Sequence, residues 1–142
     1  MTKKILIGML FGMVTLFPLF AVAKVTNMGI AFINTTTTSA QINNIDPTKP
    51  SGGSNLWGPE GENQPFQVNP GGKEHVDITH DWWEVGNVKF DVVWNGNTCK
   101  VLANYSASNY TLALVSKKKD CFFLERSHTH KRTSGFTINI HG

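Results

Sequence analysis

The chain has 142 residues, 40% of them apolar and 16% charged, with a formal net charge of +3. That length sets aside a multidomain protein, and so small a charge sets aside an electrostatically driven nucleic-acid binder. Lys3 and Lys4 belong to a segment expected to be removed, which leaves the remainder at about +1.

That segment, residues 1–23, has a short cationic start, an apolar run from Ile5 to Phe20 and small residues at Ala21 and Ala23. The pattern is that of a secretory signal peptide cleaved after Ala23, and it predicts a secreted or periplasmic protein. Residues 24–142 then form a single domain. In this compartment the chain's two cysteines, Cys99 and Cys121, are expected to pair as a disulfide closing a loop of about 23 residues.

From Lys24 to Ile33 the alternation of Met28, Ile30 and Phe32 with Asn27, Gly29 and Ala31 predicts a half-buried strand. A second strand is expected at Ala40–Ile45, forming a hairpin with the first. Between Asp46 and Gly72 the chain holds five of its six prolines, and loops of this length are functional or hide a short strand. Phe66–Val68, flanked by Pro65 and Pro70, is the expected edge strand. Trp57 and Phe66 are bulky apolar residues in an otherwise polar stretch, suited to pinning the loop or to facing a ligand.

Lys73–His80 follows, with Val76 and Ile78 on one face and His75, Asp77 and Thr79 on the other. Trp82 continues the inward phase and Trp83 faces outward. The best-specified stretch is Gly86–Tyr105. Taking Asn95 and Gly96 as the centre of a type I′ turn sets Trp94 opposite Asn97, Val92 opposite Cys99, Phe90 opposite Val101 and Val88 opposite Ala103. The other face then pairs Asp91 with Lys100, and a one-residue slip would destroy both arrangements.

Further strands are expected at Tyr110–Ser116, at Cys121–Arg126 as a central strand apolar on both faces, and around Phe136, Ile138 and Ile140. About eight short strands with no helical period give an all-β fold, an antiparallel β-sandwich with one disulfide. Were the strands of Cys99 and Cys121 to flank Tyr110–Ser116 in one flat sheet, they would lie about 9.5 Å apart, beyond disulfide reach. Either the middle strand changes sheet or the bond spans the two layers.

Candidate chemistry is sparse. His128 and His130, two apart on a strand, share a face and form a weak metal pair, for which His75, His80, Asp77 or His141 would have to supply further ligands. No nucleophile elbow occurs, and an enzyme is not the favoured reading. A small secreted hydrolase would draw on Glu125, Arg126, His128, His130 and His141. No cofactor is implied, and Lys117–Lys119 reads as a solvated hairpin tip that discourages edge pairing. Asn34, Asn104 and Asn109 stand in N-x-S/T sequons.

The aromatic residues are the better lead. Trp57, Trp83, Trp94 and Tyr105 are the candidate ligand-binding residues, because flat rings beside Asn, Asp and Glu suit stacking on sugars. The favoured function is a secreted binding module that recognises a carbohydrate or protein ligand through these aromatics and the Asp46–Gly72 loop. In size, in the Pro70–Gly72 turn ahead of a strand and in its Trp-rich β pattern, the chain also resembles small membrane-active sandwiches such as the aegerolysins. That resemblance frames the alternative, a membrane-active protein with Trp83 and Trp94 at the lipid interface.

Overall fold

The computed structural model describes residues 25–48, 55–81, 84–106, 109–128 and 135–142; the expected signal segment, Trp82, Trp83 and His130 lie outside these. The strands are β1 (Val25–Asn34), β2 (Ala40–Thr48), β3 (Asn55–Gly58), β4 (Gly61–Glu62), β5 (Phe66–Val68), β6 (Lys73–Asp81), β7 (Gly86–Trp94), β8 (Asn97–Tyr105), β9 (Tyr110–Leu114), β10 (Leu124–His128) and β11 (Gly135–Ile140). They form two facing sheets, ordered β10-β11-β1-β6-β3-β4 and β5-β2-β7-β8-β9. Pairing is antiparallel except that β1 runs parallel to β11, with Ile30 beside Phe136.

Alternation in the sequence becomes the sandwich core. Met28, Ile30 and Phe32 of the first sheet meet Val88, Phe90 and Val92 of the second, all essentially inaccessible to solvent. Phe32 sits edge-on to both Phe66 and Phe90, at centroid distances of 5.6 and 5.8 Å, and so ties the layers at mid-height.

The β7–β8 hairpin has the expected register from Gly86–Tyr105 to Trp94–Asn97. Asn95 and Gly96 hold the positive φ values, 48° and 77°, that a type I′ turn demands. Asp91 faces Lys100 at 3.7 Å and accepts a 2.7 Å hydrogen bond from Asn44 Nδ2. Asn44 reaches it because β2 bulges between Asn43 and Asp46, with Asn44 itself at φ 51°.

The disulfide forms between Cys99 and Cys121, with Cα atoms 4.8 Å apart. Of the two arrangements open to it, the bond takes the interlayer one. Cys99 lies on β8 of the five-stranded sheet, and Cys121 lies in the turn that delivers the chain to β10 of the six-stranded sheet.

Three expectations are corrected. β1 and β2 do not form a hairpin; they belong to different sheets, because the turn after Asn34 carries the chain from one layer to the other. Cys121–Arg126 is not a central strand. Its first three residues are turn, with Phe123 in the core and Phe122 at the surface, and β10 begins at Leu124 as an edge strand. Finally, the Asp46–Gly72 stretch holds β3 and β4 besides the expected edge strand β5.

Gly86 shows how tightly one end of the sandwich closes. A Cβ there would lie 2.5 Å from Tyr105 Oη and 3.0 Å from the Thr48 carbonyl oxygen. Gly86→Ala is therefore expected to destabilise the fold by about 2 kcal/mol, read as a lower denaturation midpoint with an unchanged m-value.

Candidate functional site

The exposed side of the six-stranded sheet carries the best-formed group of polar and aromatic side chains. Its organiser is the short β3–β4 hairpin. Asn63, at φ 53°, clasps the hairpin: its amide N–H donates to the Leu56 carbonyl, its Oδ1 accepts from the Leu56 N–H, and its Nδ2 donates to Asn55 Oδ1. Leu56 is fully buried, so the clasp is anchored in the core and the next residue, Trp57, must point outward.

Trp57 is 45% exposed. Its indole N–H donates to Thr79 Oγ1 on the adjacent strand at 3.2 Å, so the ring is held across β6 and its polar atom is satisfied within the protein. What remains for a ligand is an apolar ring surface. In the same cross-strand row Trp57 pairs with Asp77 on one side and Glu62 on the other, which puts an acidic residue on the strand to each side of it.

Next to this row, His75 Nε2 meets Asp77 Oδ1 at 3.2 Å, with both side chains about half exposed. The pair lies over Gly29, where a Cβ would come within 3.1 Å of the imidazole. The backbone of β1 thus leaves room for the histidine to turn toward Asp77. The outcome is a shallow surface with a flat indole, two carboxylates, an imidazole and a threonine hydroxyl, rich in acceptors and open to solvent.

The other residues singled out from sequence are placed as follows. Trp94 is half-buried: its N–H donates to Thr36 Oγ1 at 3.0 Å, and its ring packs on Phe123 at 5.6 Å. Tyr105, expected at the ligand surface, is only 2% exposed and stacks on His80 at 4.4 Å. His80 is itself buried. The Asp81 carbonyl can only accept, so Nδ1 donates to it at 2.8 Å, and Nε2 shares a 3.1 Å hydrogen bond with the Tyr110 hydroxyl. This histidine–tyrosine cluster holds the β6 end of the core and offers no surface to a ligand. Trp83 and His130 lie outside the described residues.

His128 is exposed and packs against Phe136 at 4.6 Å. Among the described residues no group of three or more His, Cys, Asp or Glu is placed to hold a metal ion. Of the sequons, Asn34 is fully buried and all its side-chain atoms are engaged, so the folded chain presents no acceptor nitrogen there. Asn109 is exposed.

A separate hollow of about 530 Å³ opens on the five-stranded sheet beside Asp91, Lys89 and Lys100. Of its two carboxylates, that of Asp91 is already engaged by Asn44 and Lys100, and Val101, Leu102 and Val115 supply the apolar part of the lining. Sequence reasoning found His75 and Asp77 as outward residues and left Trp57 open between pinning the loop and facing a ligand, but it missed Glu62, which only the two-residue strand β4 brings alongside. No protein-family model and no curated protein matches the chain, and the functional reading rests on this geometry.

Proposed function

We propose that the chain is a carbohydrate-binding module of the extracytoplasmic space, with its site on the exposed face around Trp57. The observation that supports this most is the indole itself: nearly half exposed, fixed across the sheet by its bond to Thr79, and flanked in one row by Asp77 and Glu62. A sugar ring has an apolar C–H face and a hydroxyl rim. The first stacks on a flat indole, and the second donates hydrogen bonds to carboxylates on either side.

The carboxylates also set the class of sugar. They repel sialylated or sulfated glycans and favour neutral ones. The disulfide supports a location where thiols are oxidised.

A glycan array tests the reading. Wild-type protein is expected to retain neutral glycans, and Trp57→Ala to lose at least about tenfold in affinity while its unfolding free energy changes by less than about 1 kcal/mol. Unchanged binding by Trp57→Ala would remove the indole from the site, and exclusive binding of acidic glycans would contradict the charge argument.

A further inference from the structure

At the opposite edge of the six-stranded sheet from Trp57, the turn between β9 and β10 presents three exposed lysines, Lys117, Lys118 and Lys119, with an exposed apolar residue at each foot. Val115 is 59% exposed and Phe122 is 53% exposed. Nothing in the core requires Val115, and it is Phe123, not Phe122, that fills the interior.

The turn is rigid. At its start the Val115 N–H donates to the Lys100 carbonyl at 2.7 Å, and Ser116 Oγ accepts from the Lys100 N–H at 2.8 Å. At its end Cys121 is bonded to Cys99. A single turn of 3-10 helix, Lys118–Asp120, fixes the lysine positions between these two anchors. Phe122 is backed edge-on by Phe123 at 5.6 Å and by Trp94 at 6.5 Å, so the exposed ring stands on an aromatic support. Lys118, Phe122 and Arg126 line one hollow of about 460 Å³ between the edge strands β9 and β10.

Exposed large apolar side chains held rigidly among cations match one kind of partner. We infer that this turn docks on an anionic lipid bilayer, the lysines and Arg126 engaging headgroup phosphates while Phe122 and Val115 enter the boundary with the acyl chains. A soluble polyanion would satisfy the lysines and leave the two apolar residues in water. Asp120 and Glu125, the acidic residues of the same segment, number fewer than its four cations, so the local charge stays positive. The surface is distinct from the Trp57 face and does not depend on the carbohydrate reading.

Vesicle co-sedimentation of the full chain tests the inference. Binding is expected to phosphatidylcholine vesicles containing ~30% phosphatidylserine, to fall with added salt, and to be weak on phosphatidylcholine alone. Combining Lys117→Gln, Lys118→Gln and Lys119→Gln should weaken it about fivefold per lysine, and Phe122→Ser about tenfold. Since Phe122 also touches Trp94, Val115→Ser is the parallel variant, at a residue outside the buried core, and it should weaken binding too. No binding to the anionic vesicles, equal binding to neutral ones, or undiminished binding by both Phe122→Ser and Val115→Ser would overturn the inference. So would retention on heparin without vesicle binding.

Discussion

Asn34→Ala is expected to lower the stability of the fold by about 3 kcal/mol, a large effect for the loss of one small polar side chain. Asn34 ends β1 with no solvent exposure. Its Nδ2 donates to the carbonyls of Thr38 and Val68, at 2.9 and 3.0 Å, and its Oδ1 accepts from the Thr36 N–H and hydroxyl, at 3.0 and 2.7 Å. One side chain thereby folds the turn that leaves β1 and fastens it to β5 of the other sheet. Alanine removes both donors and the acceptor at once, and Val68 loses its donor within the interior. Asn34→Asp should be at least as damaging, because a carboxylate oxygen would face a carbonyl where an amide now donates. Urea unfolding followed by tryptophan fluorescence reads both variants; a loss below about 1 kcal/mol for Asn34→Ala would show that the network is not what joins the layers here.

Removing the Cys99–Cys121 bond is expected to cost a similar amount, again about 3 kcal/mol, through the release of a loop with sequence separation 22. The bond joins β8 to the turn before β10, so its loss frees the edge of the six-stranded sheet from the other layer. Cys99 is fully buried and Cys121 nearly so. A paired Cys99→Ala, Cys121→Ala variant separates the loop term from the burial of free thiols, whereas chemical reduction carries both. Stability equal to wild type in the paired variant would mean that β10 is held by its pairing with β11 alone.

What was legible in the sequence was local. The β7–β8 hairpin could be written out residue by residue because its turn chemistry and its alternation agree, and each side of the register depends on neighbours within twenty positions. Partner choice between distant strands could not. β1 lies between β6 and β11, the latter a hundred residues further on, and alternation in β1 says which face is apolar without saying which strand lies alongside. Asn34 illustrates the same limit: a polar residue ending an apolar run reads as a turn or a sequon, and its bonds to Thr36 and Thr38 are local, but the one to the Val68 carbonyl reaches a strand that only the fold brings near.

The site was legible to the same degree. Trp57 stood out as an aromatic residue in polar surroundings, and His75 and Asp77 followed from the outward phase of β6. Trp94 and Tyr105 misled for a shared reason. Both lie at strand ends, where periodicity gives a direction but not a cover. Trp94 is covered by Phe123, with Gly142 close against its ring, and Tyr105 by His80. Meanwhile Phe122, the more exposed ring, was read as part of a central strand because apolar residues on both faces normally signal burial there.

The folded chain sorts its charges although its strands interleave. Glu60 and Glu62 lie on the β3–β4 hairpin and Asp77 on the neighbouring strand, at the edge opposite β10, Arg126 and the lysine turn. The proposed sugar site and the proposed lipid-facing turn therefore sit at electrostatically opposite ends of one sheet.

The most direct test of the carbohydrate reading is a titration of isotope-labelled protein with a neutral oligosaccharide retained on the array, followed by the indole N–H and backbone amide resonances. The expected result is that the Trp57 indole and the amides of Glu62, Asp77 and Thr79 shift together with one dissociation constant, while the Trp94 indole, bonded to Thr36 behind Phe122, stays in place. Shifts confined to Trp94, the Lys117–Phe122 turn or the hollow beside Asp91, with the Trp57 face silent, would contradict it.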